Sequence, residues 1–254
     1  MYTPKNIIAL ILVIIYSNTY LANETNGIPD LVVSALQNTK ILESKNFAYT
    51  KTETKQDSKE QSSTVERFNP GSDPQWSLIS SNGETPTQEE VDEYQQKIKE
   101  REEKRQEEDN GSDDNTSKKD SNERSFGFNF NDPDSIAESG TWKLLEENSE
   151  TVVYGFKPKI KNKDDKKMLP FIDGKLTIDK NKQHVVSYHL SNQKPFKPAA
   201  VAKINEFKMY IEFIELEPQQ FMPQTIEFSI NGKAMFKRFV QKSKTELSDF
   251  EKVE

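Results

Sequence analysis

The chain contains no cysteine, two histidines and nine glycines among its 254 residues. Without cysteine it holds no disulfide, no Cys-ligated zinc or iron–sulfur cluster, and no thiol nucleophile. It also lacks the Cys that a lipid-anchored bacterial protein needs at its cleavage site. The glycines are scattered singly, so no glycine-rich loop is present to cradle phosphate, and no Gly-x-Ser-x-Gly sequence of a serine hydrolase occurs.

The two histidines offer little chemistry. His184 and His189 lie five residues apart on one predicted strand, so they are expected to point to opposite faces unless a bulge intervenes. That spacing disfavours a shared metal site or a catalytic pair. His184 is expected on the apolar side, either as a hydrogen-bonded inner residue or in contact with a ligand. We expect no metal, no cofactor and no catalysis, although carboxylates facing inward from separate strands would still allow a hydrolase.

Long apolar runs are also scarce, and the main one lies at the N-terminus. Lys5 precedes ten apolar residues at 7–16, and small and polar residues then lead to Ala22. This pattern predicts a secretory signal peptide over residues 1–22. The run is too short to cross a bilayer, and an inner-membrane signal anchor is the alternative. The abundance of Lys, Asn and Ile indicates an AT-rich bacterial genome, and hence a Gram-negative periplasm.

The net charge of -7 comes from one segment. Residues 84–125 contain 15 acidic and 8 basic residues, which leaves 27 of each in the rest of the chain. Thr85 and Pro86 predict the N-cap and first residue of a helix with a thin apolar stripe of Val91, Tyr94 and Ile98. Beyond Ile98 the composition predicts a solvated helix that leads into a disordered insertion. A docking arm for an envelope protein is the alternative.

The rest of residues 23–254 predicts a single β-rich domain, which the acidic helix and insertion at 85–125 interrupt. Residues 29–41 indicate a first helix, and Asn231-Gly232 is a strong hairpin signal. Regular alternation of apolar and polar residues in the C-terminal half indicates antiparallel strands with one apolar face. The predicted class is α+β, mainly β: a curved antiparallel sheet or half-open barrel covered by one to three helices.

The apolar face of these strands is either an ordinary core or the lining of a lipid-sized cavity. The cavity is the working hypothesis, because a wide sheet with few covering helices is hard to fill completely. Its predicted lining comprises Val186, Tyr188, Leu190, Phe207, Met209, Ile211, Phe213, Ile226, Phe228 and Ile230.

A second binding signal is basic. Residues 157–203 contain 12 lysines and 4 acidic residues. These lysines suit anionic lipid headgroups, but they are also compatible with an ordinary soluble surface or with neutralisation by the acidic insertion. Nucleic acid is not expected as a partner, because no arginine-rich or aromatic-basic motif is present.

Several segments resemble the LolA/LolB-like superfamily of periplasmic lipoprotein carriers. The resemblance rests on the general layout and on the sequences ERFNP at 66–70, WSLI at 76–79, NGETPT at 82–87 and the stretch 222–240. It implies a half-barrel covered by helices and no catalytic residues. The long acidic insertion departs from that family.

These observations predict a monomeric, non-catalytic periplasmic protein that binds an acyl chain, a lipid or a lipoprotein in an apolar concavity. The alternative is a protein-interaction module with a filled barrel and an acidic docking arm. A hydrolase with carboxylates inside the barrel is a third hypothesis.

Overall fold

The computed structural model describes residues 27–42, 46–110, 133–159, 165–235 and 237–253. The predicted signal peptide at 1–22 lies outside the described residues, as does the part of the acidic insertion that follows Asn110. Within the described residues, no helix is both long enough and apolar enough to span a membrane.

In the described part of the chain, twelve strands form one sheet. Their bounds are β1 Lys40–Ile41, β2 Phe47–Asp57, β3 Gln61–Phe68, β4 Trp76–Ser81, β5 Lys143–Glu147, β6 Thr151–Phe156, β7 Ile172–Asp179, β8 His184–Asn192, β9 Phe196–Ala199, β10 Ala202–Glu217, β11 Gln220–Ala234 and β12 Lys237–Lys252. The described residues also form the α-helices α1 Asp30–Asn38 and α2 Gln88–Asn110 and the short 3₁₀ turns Pro133–Ser135, Asp165–Lys167 and Leu169–Phe171.

The sheet is antiparallel and open. Its strand order is β4-β3-β2-β12-β11-β10-β8-β7-β6-β5, with β9 added beside β10 and the short β1 running parallel to β11. β4 and β5 form its two edges. The predicted α+β, mainly β fold is therefore confirmed.

Helix α1 packs against β8 through its apolar face. Val32, Ala35 and Leu36 are buried there. The prediction of a helix as far as Ile41 is wrong, because α1 ends at Asn38 and the next residues form β1 beside β11. At this end Thr39 is fully buried and its hydroxyl donates to the Ala35 carbonyl at 2.6 Å.

Helix α2 begins later than its sequence suggests. The Thr87 side chain accepts from the Glu90 N–H at 3.3 Å, and the Glu90 carboxylate accepts from the Thr87 N–H at 2.8 Å. This reciprocal capping box fixes the start at Gln88, so the prediction of an N-cap at Thr85 is wrong. The helix packs on β4, where Gln95 donates to the Trp76 carbonyl.

Asn231 and Gly232 do not form the predicted hairpin turn. They lie inside β11, paired with β12, and the strand reaches Ala234. A Cβ on Gly232 would lie 2.2 Å from the Lys203 carbonyl oxygen. The glycine therefore serves the close approach of neighbouring backbone rather than a turn.

Two apolar clusters stabilise the fold. The larger one joins α1 to the inner side chains of β6, β7, β8, β10 and β11. The smaller one gathers Tyr49, Phe68 and Met222, with Trp76 and Phe250 among the side chains packed around them. One end of the sheet is thus tied to α1, and the other carries an aromatic cluster beside α2.

Candidate functional site

The inner face of the sheet, defined here as the face that carries Tyr188 and Ile211, changes from apolar to polar along single rows of paired residues. Directly opposed residues of neighbouring strands share a face. One row runs from β7 to β2 through Leu176, Tyr188, Ile211, Ile226, Thr245 and Glu53. The next row runs through Gly174, Leu190, Met209, Phe228, Ser243 and Lys55. Both rows turn polar between β11 and β12.

Four of the ten predicted lining residues lie in the packed core. Tyr188 is 1% exposed and Ile211 is 0% exposed, and Leu190 and Phe213 are also buried. They pack with α1 in the larger cluster. A role for them in lining a cavity stays a prediction.

Five other predicted residues are partly exposed and form a contiguous border where the core meets the polar half of the inner face. We call this set the apolar border: Phe207, Met209, Ile226, Phe228 and Ile230. Four of its members form two cross-strand pairs between β10 and β11, Phe207 with Ile230 and Met209 with Phe228. The rings of Phe207 and Phe228 meet edge to face, with centroids 5.9 Å apart. The border is therefore a continuous apolar surface that protein only partly covers.

The tenth residue, Val186, departs from the predicted alternation. The register of β7 with β8 shifts between Thr177 and Ile178, so that Val185 faces Ile178 and Val186 is left unpaired in a β-bulge. Val185 is fully buried while Val186 is only partly so. The core position on this strand is therefore Val185, and the alternation predicted at Val186 is wrong.

Beyond the border, the inner face carries a charged cluster that the sequence did not reveal. The Lys51 ammonium lies 3.2 Å from the Glu66 carboxylate and 3.3 Å from the Glu53 carboxylate. Lys55 lies 3.1 Å from Glu53, and Glu66 is buried. Burial alone would raise the pKa of Glu53. The Lys51 and Lys55 ammonium groups outweigh this effect, so the pKa of Glu53 lies below its ordinary value. Glu53 is therefore an anion at neutral pH and no proton donor.

Helix α2 reaches this cluster through the stripe predicted on it. Ile98 is buried, and Tyr94 is half-buried near Glu66. Burial first, and then the Glu66 charge, raise the pKa of the Tyr94 hydroxyl, which therefore stays protonated. The Lys51 ammonium also lies 5.9 Å from the Trp76 ring centroid. The lysine is thus held between two carboxylates and an aromatic face.

The histidines occupy separate environments. The His184 ring stacks on Phe221 with centroids 4.7 Å apart, whereas His189 meets the edge of Tyr210 at 6.2 Å. Burial lowers the pKa of both imidazoles, and nearby Lys208 and Lys175 lower that of His189 further. Among the described residues no group of three or more His, Cys, Asp or Glu side chains is placed to hold a metal ion.

The alternation of apolar and polar residues predicts the apolar residues of the border but not where the border ends. Phe239 packs against the same cluster from β12, yet its strand gives a weak signal because its inner neighbours Gln241, Ser243 and Thr245 are polar. The charged cluster depends on pairing between β2 and β3, which residue spacing does not encode. No protein-family model matches the chain, and neither does any curated protein.

Proposed function

We propose that the protein is a non-catalytic periplasmic carrier that binds an acyl chain, as a lipid or a lipoprotein, along the apolar border. The main support is that five contiguous apolar side chains on β10 and β11 remain partly exposed on the inner face of an open sheet. A filled and closed barrel would bury such side chains completely. An acyl chain laid along them would gain about 0.8 kcal/mol for each methylene removed from water.

The polar half of the inner face suits the other end of such a ligand. The paired rows that carry Ile226 and Phe228 continue into Thr245 and Ser243, and then into Glu53 and Lys55. Lys55 is exposed at the end of the row that carries Phe228, with Ser243 between them. An acyl chain on the border therefore places its polar headgroup among hydroxyl groups and a lysine.

The functional analogy is with the LolA/LolB-like carriers, in which a half-barrel shields acyl chains from water. Helix α1 packs on β8 in the apolar half of the sheet, and α2 packs at the far side on β4. Between them lies the border. Exchange of the acyl chain would take place there without unfolding of the core.

Equilibrium binding of a fluorescent fatty acid tests the proposal. We expect saturable binding by the wild-type protein and at least tenfold weaker binding by Phe228→Glu, because a carboxylate would enter the apolar border. The matched control is Glu227→Gln. Glu227 pairs with Tyr210, and this pair lies between the pairs that contain Phe228 and Ile226. Equal binding by all three proteins would contradict the proposal.

A second candidate function is the protein-interaction module. The observation that favours it is α2, which continues to Asn110 although its side chains from Lys99 to Glu103 are all exposed. Such a helix offers a charged surface to a basic envelope partner. Deletion of residues 99–124 would abolish partner binding under this hypothesis and would leave acyl-chain binding intact under the first.

A further inference from the structure

We propose that one end of the sheet docks on an anionic lipid surface. Two turns meet there: the turn from β9 to β10, which carries Val201, and the turn that follows β11, which carries Met235. Their backbones are joined by a hydrogen bond of 3.0 Å from the Met235 N–H to the Val201 carbonyl. The proposal concerns a different surface from the apolar border and does not depend on ligand binding there.

The apolar side chains at this end are the most exposed of their kind in the described residues. Val201 is 66% exposed and Met235 is 72% exposed. Neither side chain belongs to the two apolar clusters. Solvent-exposed apolar side chains in two adjoining turns are suited to insertion among lipid headgroups.

Six exposed basic side chains lie on the chain segments that lead into these two turns. We call the whole set the basic tip: Val201 and Met235 with Lys194, Lys197, Lys203, Lys233, Lys237 and Arg238. The register places Lys203 opposite Lys233, and Lys233 opposite Arg238, on three adjacent strands. All six basic side chains are exposed, and none forms a salt bridge among the described residues.

The tip is also free of acidic residues along the chain. Residues 193–205 and 232–245 contain no Asp or Glu. Acidic groups lie to its side, at Glu206 on β10 and at Asp57 and Glu60, which flank the turn between β2 and β3 that contacts Val240. In a chain of net charge -7 this concentration of cations directs one end of the molecule toward an anionic surface.

The combination favours a membrane over other polyanions. A highly charged polyanion such as nucleic acid would use the charges but would gain little from two exposed apolar side chains in the turns. A bilayer uses both, because cations meet the headgroups while Val201 and Met235 enter the interface.

Vesicle flotation with the full-length chain tests the proposal. The vesicles contain phosphatidylcholine with or without 30% phosphatidylglycerol (about one lipid in three), a composition that supplies a strong negative surface potential. We expect binding to the anionic vesicles, weak binding to the neutral ones, and loss of binding as salt is raised. Since each lysine near such a surface strengthens binding about fivefold, Lys203→Gln/Lys233→Gln/Lys237→Gln should weaken it roughly 100-fold.

The matched control removes three exposed lysines elsewhere, in Lys40→Gln/Lys143→Gln/Lys175→Gln. It changes the net charge equally and should retain binding. The N-terminal apolar segment is common to all variants and cannot account for a difference between them. Equal vesicle binding by both triple variants, or no preference of the wild type for anionic vesicles, would overturn the proposal.

A second pair of variants separates a membrane from a general polyanion. Met235 has a positive φ of 46°, so Met235→Asn keeps the backbone conformation while removing the apolar side chain. Together with Val201→Ser it should weaken vesicle binding severalfold and leave binding to heparin unchanged. If it leaves both unchanged, the tip is a polyanion site and the lipid assignment is wrong.

Discussion

The Thr39 hydroxyl joins helix α1 to strand β8 by accepting a hydrogen bond of 2.8 Å from the Val185 N–H. Both residues are fully buried. The same hydroxyl donates to the Ala35 carbonyl, so one side chain ends the helix and supplies the partner of a buried amide. The contact lies next to the β-bulge that turns Val185 into the core.

Replacement of Thr39 by Val should therefore destabilise the protein. The change keeps the shape but leaves the Val185 N–H without its partner, at a cost of about 1–3 kcal/mol. Urea unfolding followed by circular dichroism measures this loss. Thr39→Ser retains the hydroxyl and should lose clearly less stability, and equal losses for both variants would show that the hydrogen bond contributes nothing.

Gly174 is required by the ring of Phe156. A Cβ at this position would lie 2.2 Å from the ring, so Gly174→Ala should cost about 1–3 kcal/mol through overpacking. Gly71→Ala is the control, because its new Cβ would meet neighbours only at ordinary contact distances of 3.5 Å and beyond. Phe156→Leu in the Gly174→Ala background should restore part of the lost stability. A double variant no more stable than Gly174→Ala would exclude this steric explanation.

The sequence predicted the fold class because period-two alternation is strong in β7, β10 and β11. It did not predict where alternation breaks. Unpaired residues at Val186 in β8 and Gln224 in β11 shift the buried positions, and such bulges depend on neighbouring strands rather than on local sequence. The role of Gly232 was also not predictable, because glycine is required there by the nearby backbone of Lys203 and not by a turn.

The candidate site was likewise predictable only in part. Apolar residues on β10 and β11 were identified by alternation, but their division into core and border depends on where α1 lies. Thus Ile211 is buried beneath other side chains while Phe228 remains partly exposed. Lys51 and Glu66 are 15 residues apart, and only the pairing of β2 with β3 brings them together.

Lys51 neutralises two inner carboxylates, so Lys51→Met should be destabilising. The expected loss at pH 7 is about 2 kcal/mol, less than for a fully buried ion pair because the Lys51 side chain keeps 19% exposure. Lys55→Met is the control, and it should change stability by less than about 0.5 kcal/mol since its side chain is 61% exposed. Similar losses in both variants would contradict the role assigned to Lys51.

The same cluster predicts a dependence on acid pH. The pKa of Glu53 in the folded protein is lower than its ordinary value of 4.5. The unfolded chain therefore binds more protons below about pH 4.5, and the stabilisation present above that pH is lost as pH falls through the folded pKa. Unfolding midpoints measured between pH 6 and pH 3 should fall less steeply in Lys51→Met, and an unchanged slope would contradict the lysine's effect on Glu53.

The histidines predict a second pH window. Burial lowers the pKa of His184 and His189 in the folded protein below the ordinary value of 6.5. As pH falls, the unfolded chain therefore binds protons before the folded protein does. The free energy of unfolding keeps its full value above about pH 6.5 and decreases as pH falls below it. Urea midpoints at pH 7.5 and pH 5.5 should differ in the wild type and converge in His184→Gln/His189→Gln. If the two urea midpoints still differ in the double variant, groups other than the histidines cause the pH dependence.

Native mass spectrometry with lipid extraction, on protein expressed from the full-length gene and purified without detergent, tests the carrier proposal most directly. We expect a bound phospholipid or acylated peptide on the wild type and on Glu227→Gln, and its loss from a folded Phe228→Glu variant. A wild-type protein that shows only its own mass under gentle conditions would contradict acyl-chain binding on the apolar border and favour the interaction module.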